Sequence, residues 1–466
     1  MVFSSQVFIF YFLPLVLLVY YVLPGNRHLF LLLASYVFYG WWNPWFVPLM
    51  LSVTAANYAF GQSIAAPGAS RRRKRMALVG SVVASLGTLG FFKYYMFAGH
   101  NLNWLLGKLG IAPFPLVEVV LPIGISFYVF QSLSYTIDVY RGESPPVRSF
   151  FDFACFVALF PQLIAGPIVR YNTIAEQLVS RAHTWNKFSL GVALFILGLA
   201  KKVLLANTIG QVADAVFDAQ APAALDAWLG VTAYAFQIYF DFSGYSDMAI
   251  GLGRMLGFEF PRNFNAPYLS ESITDFWRRW HISLSTFLRD YLYFPLGGNR
   301  RGIRRTYFNL ATVMLLGGLW HGANWTFVLW GAYHGTLLIW ERAMGKSSIY
   351  TRLPPPARIA ITFLLLLFSW VLFRSPDIMD AWRFLSAMFG GSIAGGGSLL
   401  LAAEIYTQGT LIIMALCALI VFQPVQTFDW VETLTWGKAA SLILLFALSL
   451  MTMFVQAFNP FLYFQF

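Results

Sequence analysis

An ionisable ring inside a greasy run is the first feature of this chain that could do chemistry. Residues 317–325 read GGLWHGANW, so His321 stands between Trp320 and Trp325 with apolar sequence on both sides. A second histidine, His281, lies in TDFWRRWHISLSTFLRDYLYFPLGGNRR, residues 274–301. A neutral imidazole, with an ordinary pKa of about 6.5, is a good general base near working pH. Ionisable side chains at bilayer depth are expensive and mark function by default. The competing assignment, a core histidine bonded to a neighbouring helix, is favoured in a soluble core but not in a membrane. Gly317, Gly318 and Gly322 flank His321 and can loosen the helix or admit another backbone or a substrate. Both histidines reach one cavity if their two segments pack together.

If residues 274–296 form one helix, Trp277, His281 and Leu284 share a face at i, i+4, i+7, while Arg278, Arg289 and Asp290 lie elsewhere on its surface. An interfacial amphipathic helix accounts for the tryptophan and the arginines at headgroup level but gives His281 no task. A third stretch, QIYFDFSGYSDMAIGLGRMLG at 237–257, carries Asp241 and Asp247 in apolar surroundings. These carboxylates suit a polar funnel wall, a partner for an imidazole, or a cation-coupled transport site. The Pro/Gly-broken PQLIAGPIVRY at 161–171 suits a re-entrant turn. There is no Walker A loop, GxSxG elbow, HExxH or Cys/His metal spacing, which argues against ATP hydrolysis, a serine hydrolase, a zinc protease and a metal site. Cys155 and Cys417 lie in apolar runs and read as packing residues.

Such groups need elements to position them. The chain is 58% hydrophobic, 18% aromatic and only 11% charged, whereas soluble domains carry about 25% charged residues. That composition predicts an all-α, polytopic integral membrane protein. The net charge of +11 gathers in short clusters, Arg71–Arg75 and Asn299–Arg305, which read as cytoplasmic anchors rather than nucleic-acid contacts. Apolar runs at roughly 6–23, 28–42, 45–64, 76–97, 117–139, 151–168, 188–209, 226–250, 276–296, 307–340, 359–373, 409–424 and 438–457 predict about 11–13 transmembrane or re-entrant helices. The first run lacks a basic flank and a cleavage site and is expected to be a retained span. With Arg71–Arg75 inside, the N-terminus falls outside and the Pro24–His28 turn inside. Residues 307–340 are either one broken traverse or a hairpin; the basic residues of the 341–358 loop favour the hairpin, which puts that loop inside. The chain is expected to form a single membrane domain over 1–466. Its probable exception in character is a loop at about 374–409, external, with an interfacial helix around DAWRFLSAMF that is either a docking surface or a connector.

Five blocks carry a resemblance: FYVFQSLSYTIDVYRG, LFPQLIAGPIVR, the long YFDFSGYSDMAIGLGRMLGFEFPRNFNAPYLSESITDFWRRWHISLSTFLRDYLYFPLGGNR, GLWHGANWTFVLWGAYHG and the C-terminal NPFLYFQF. Together they resemble the membrane-bound O-acyltransferase superfamily, nearest its branch that O-acetylates bacterial polysaccharides such as alginate. The resemblance implies a ring of tilted helices around a central funnel or tunnel. It maps the family's motif histidine onto His321 and a second motif position onto His281. It implies a multi-pass protein of the bacterial inner membrane with no permanently bound cofactor. Acetyl-CoA is then the expected co-substrate, and periplasmic acetyl carriers or polysaccharide acetyltransferases are the expected partners, beside membrane lipid. In that chemistry His321 takes the acceptor proton, and Trp320, Asn324 and His281 are candidate oxyanion donors. Asp241, Asp247 and Trp277 are candidate funnel residues. Arg278, Arg289, Arg300 and Arg301 could hold coenzyme A phosphates, although anchoring explains the same arginines. Cellulose, peptidoglycan and teichoic acid remain alternative acceptors, and a transporter or flippase built on the two aspartates, or a secretion scaffold, remain alternative functions.

Overall fold

The computed structural model describes all residues except 24, 26, 220, 346–351, 392–398, 457–461 and 463–466, and the side chains of 399 and 400. Parts of the Pro24–His28 turn, of the 341–358 and 374–409 loops and most of NPFLYFQF therefore lie outside the described residues. Among those described, every regular element is helical. The chain divides into two compact units, Met1–Val192 with Ala249–Pro261, and Ala193–Met248 with Arg262–Phe466.

In the first unit the Arg71–Lys108 helix starts where the Ser70 hydroxyl accepts from the Arg73 N–H, a serine N-cap. Its 38 residues span ~57 Å at 1.5 Å each, more than the ~30 Å apolar core. The first turn, Arg71–Arg75, is exposed. Deeper, Asn57 bonds the hydroxyls of Ser81 (2.6 Å) and Ser85 (2.9 Å), and Ser81 lies 2.8 Å from Thr136. These residues are fully buried, and such interhelical hydrogen bonds contribute about 0.6–2 kcal/mol each where water is absent. A second network joins five segments: Arg181 bonds His28 and Tyr20, His28 bonds Asp152, and Tyr20 bonds His183 and the Leu256 carbonyl.

Four helices are long and apolar enough to cross a bilayer by themselves, Arg71–Lys108, Trp185–Phe217, Pro355–Arg374 and Trp436–Val455. The other expected runs are largely helical, except that the 117–139 run becomes helical only at Ile125 and the 151–168 run breaks at Leu159 and stops at Leu163; two further differences lie in the second unit. Residues 276–296 are not one helix. They divide into Ile273–Arg279, Ile282–Leu288 and a π-helical turn Arg289–Tyr293, because His281 takes the left-handed conformation, φ +43°. Trp277 and His281 consequently do not share a helix face. Residues 307–340 form a hairpin of Ile303–His321 and Trp325–Met344. Gly318 faces the Phe327 carbonyl, Gly331 faces that of Met314, and Gly335 faces Ala311, which is antiparallel pairing. The ends at Ile303 and Met344 therefore lie on one side, with the Asn299–Arg305 basic cluster. The expected amphipathic helix is present as Ile378–Met388, with Trp382 68% exposed and Phe384 stacked on Phe217 at 4.1 Å.

A side chain at Gly331 would meet the Met314 carbonyl oxygen, which cannot rotate away. Gly331→Val should lower stability by about 1–3 kcal/mol or more through overpacking. Thermal unfolding in detergent checks this, with Gly87→Ala, which meets nothing within 4 Å, as a neutral to slightly stabilising control.

Candidate active site

His321 occupies the last helical position before the turn Gly322–Ala323–Asn324, at the hairpin tip. It is 6% exposed and boxed by aromatic rings, Trp320 at 5.0 Å, Trp330 at 5.1 Å and Phe373 at 5.2 Å. One side opens into a cavity of about 510 Å³. Ile282, Leu284, Leu288, Val313, Met314 and Trp330 make its wall mainly apolar, with Trp277, Ser285 and Thr286 adding polar groups. Thr274, Arg278, Leu310, Leu338 and Arg342 line this cavity and also a wider space of about 1230 Å³, so the two adjoin. The wider space is charged and lies beside Ile303 and Gly345, and the cavity reaches from their shared rim to the imidazole.

The mouth's charges are unevenly committed. Glu271 pairs with Arg358 at 2.7 Å and Asp275 with Arg279 at 2.9 Å. Glu341 accepts from the N–H groups of Ile273 and Thr274 and from the Thr274 hydroxyl. Arg289 is held by Asp290 at 2.6 and 3.1 Å. Arg278 and Arg342 make no ion pair or hydrogen bond among the described residues. Two guanidiniums with donors to spare, on the rim shared by both spaces, suit an anionic group such as a phosphate.

His281 is fully buried. Its ring packs on Phe242 at 4.6 Å and on Trp320 at 6.0 Å, so Trp320 touches both imidazoles. Asn263 Oδ1 accepts from the Ser283 N–H and hydroxyl and lies 3.2 Å from His281 Nδ1. A backbone N–H can only donate, which identifies that Asn263 atom as oxygen. The neutral His281 ring must then carry its proton on Nδ1, leaving the lone pair on Nε2. His281 does not line the cavity, whereas His321 does.

The remaining sequence candidates take varied places. Trp277 lines the cavity and donates from Nε1 to His334 Nδ1 at 3.4 Å. Asn324 is spent on the turn: its carbonyl oxygen caps Thr326 and its amide donates to the Pro376 carbonyl at 2.6 Å. Arg300 and Arg301 line neither space; Arg301 packs over Gly297. Asp241 and Asp247 are not wall residues of the passage either. Asp241 pairs with Lys202 at 2.6 Å and accepts from the Leu462 N–H, and Asp247 pairs with Lys201 at 2.7 Å and accepts from Thr427. The signal for this was the doublet Lys201–Lys202 inside an apolar run. Arg342, Glu341 and His334 were also missed. They follow Trp330 at 4, 11 and 12 positions on an otherwise apolar helix, a spacing that brings Trp330, His334 and Glu341 near one face.

The profile of the membrane-bound O-acyltransferase family, MBOAT, matches residues 108–373. This chain belongs to that family, and it is a multi-pass membrane O-acyltransferase. It is 47% identical over the full length of both chains to a Pseudomonas putida protein named "Probable alginate O-acetylase AlgI". A Pseudomonas aeruginosa protein of the same name is 53% identical, covering 84% of this chain and 75% of that one. The peptidoglycan O-acetyltransferase of Helicobacter pylori is 35% identical across 100% of this chain and 98% of its own.

Lys202 and Asp241 are 3% and 2% exposed at the side chain. Removing one partner strands a buried charge, so Lys202→Met or Asp241→Asn should each cost about 3–5 kcal/mol, and the double variant should recover much of it. Unfolding midpoints of the four proteins test this; equal losses in the single and double variants would contradict the pairing.

Proposed function

We propose that this chain takes an acetyl group from a coenzyme A thioester at the cytoplasmic face of the bacterial inner membrane. It then passes the group across the membrane toward a periplasmic partner that O-acetylates an exopolysaccharide, alginate foremost. One observation carries the reading: a mainly apolar cavity of about 510 Å³ joins His321 to a rim bearing Arg278 and Arg342. An acetyl group alone would leave most of that space empty. A thioester on a long arm with a phosphorylated head matches both the greasy length and the two free guanidiniums. The rim lies at the hairpin end that carries the basic Asn299–Arg305 cluster, the side expected to face the cytoplasm. The alginate assignment follows the names of the relatives that match the chain end to end.

The chemistry needs no ATP, because a thioester is already activated. His321 accepts the proton of the incoming hydroxyl as its oxygen bonds to the thioester carbonyl carbon. The tetrahedral intermediate then expels the thiolate, and the imidazolium returns the proton to sulfur. The ring of Trp320, Trp330 and Phe373 around His321 limits water, which protects the thioester from hydrolysis. Trp320 Nε1 is the candidate oxyanion donor by type, since His281 with its proton on Nδ1 has none to give from Nε2.

Purified protein incubated with radiolabelled acetyl-CoA and candidate periplasmic partners should move label to a partner. His321→Ala should reduce transfer by about 10²–10⁴-fold at unchanged membrane levels, the range typical of a lost general base. Retained transfer in that variant would overturn the assignment. Arg278→Ala and Arg342→Ala should each raise the donor KM by about 10-fold, the equivalent of one charge-assisted hydrogen bond, with smaller effects at high salt.

A further inference from the structure

The donor-facing wall of the passage depends on a very short helix. Ile273–Arg279 has seven residues, and helices this short are not stable without outside contacts. It nevertheless presents Thr274, Trp277 and Arg278 to the cavity. Phe276 and Trp277 pack their rings on His334 and Trp330 of the Trp325–Met344 helix, and two residues of that helix, Glu341 and His334, hydrogen-bond the short one. Glu341 Oε1 accepts from the Ile273 N–H at 2.7 Å, and Oε2 accepts from the Thr274 N–H at 2.9 Å and the Thr274 hydroxyl at 2.6 Å. One turn further on, Trp277 Nε1 donates to His334.

Glu341 stands next to Arg342, at a mouth that would receive an anion. A free carboxylate there would oppose binding. Its charge is instead consumed by the amino end of the helix, where orphan N–H groups and the helix dipole favour a negative group. The carboxylate thereby ties the short helix, which carries Arg278, to the long one, which carries Arg342. Both guanidiniums line both spaces.

We infer that Glu341 is a positioning residue for the acyl donor: by clamping the Ile273–Arg279 helix to the Trp325–Met344 helix, it sets the spacing of the Arg278/Arg342 anion site. The inference rests on the proposed use of a phosphorylated thioester. It goes further by assigning donor affinity to a carboxylate whose oxygens are taken up by the short helix. Glu341 lies away from His321, so the chemical step should not depend on it.

The test is steady-state acetyl transfer by the full-length protein in detergent or nanodiscs, with acetyl-CoA varied. Glu341→Ala should raise the donor KM by about 10-fold while kcat stays within about 2-fold. Glu341→Gln, which keeps one acceptor oxygen, and Thr274→Val, which removes only the hydroxyl bond, should give smaller shifts in the same direction. The two mild variants keep the test decisive if Glu341→Ala fails to accumulate. Acetyl-N-acetylcysteamine, a thioester lacking phosphates, should show a KM unmoved by both Glu341 substitutions. A fall in kcat with constant KM, or equal KM shifts for both donors, would overturn the inference, because either marks general structural damage. Absence of acetyl-CoA use by the parent protein would instead sink the proposed function and this inference with it. Acetyl-CoA use by the parent together with an unmoved KM in every variant would sink the inference alone.

Discussion

The contact on which the site depends is the close approach of two backbones. Gly318 and Gly331 let the Ile303–His321 and Trp325–Met344 helices meet with no side chain between them. Lipid supplies no hydrophobic drive to bring two apolar helices together, so such contacts rely on packing, and small residues permit the closest packing. The hairpin puts His321 at its tip and Arg342 at its open end. Between the two, Trp330 and Leu338, with Leu310, Val313, Met314 and Gly317 of the facing helix, form the cavity wall. A change that separated the helices would enlarge the cavity and move its reactive end relative to its mouth.

A second constraint explains the rest of the polar inventory. Charges inside an apolar fold are retained only where something neutralises them. Lys201 and Lys202 answer Asp247 and Asp241. Arg358 and Arg279 answer Glu271 and Asp275, and a helix end answers Glu341. After that accounting, Arg278 and Arg342 stand out as uncommitted cations on the rim. His281 and His321 sit among aromatic rings, and His321 faces the cavity.

Much of this was legible before any coordinates. Composition and run length identify an all-helical membrane protein, and the expected runs correspond to observed helices. The WHG and WRRWH blocks resemble a known family, and His321 does line a cavity. The errors have physical causes. A helical reading of 274–296 assumes regular backbone, but the Asn263 side chain bonds Ser283 across the break and supports a left-handed His281. Asp241 and Asp247 looked like passage residues because partners 39 and 46 positions away cannot be inferred from spacing. Arg300 and Arg301 have the right charge for an anion site but lie off the lining of both spaces, a distinction that only three-dimensional position makes.

The sequence alone determined the solvent, the secondary structure and the chemical types at hand, because these follow from hydropathy, periodicity and side-chain identity, which are local. Tertiary structure decided which groups meet. It made residues 303–344 a hairpin rather than a traverse, paired Asp241 and Asp247 with Lys202 and Lys201, and left two arginines and one imidazole at opposite ends of a single cavity. Those outcomes depend on packing between segments distant along the chain, where small differences in contact geometry select one pairing over many of equal local merit.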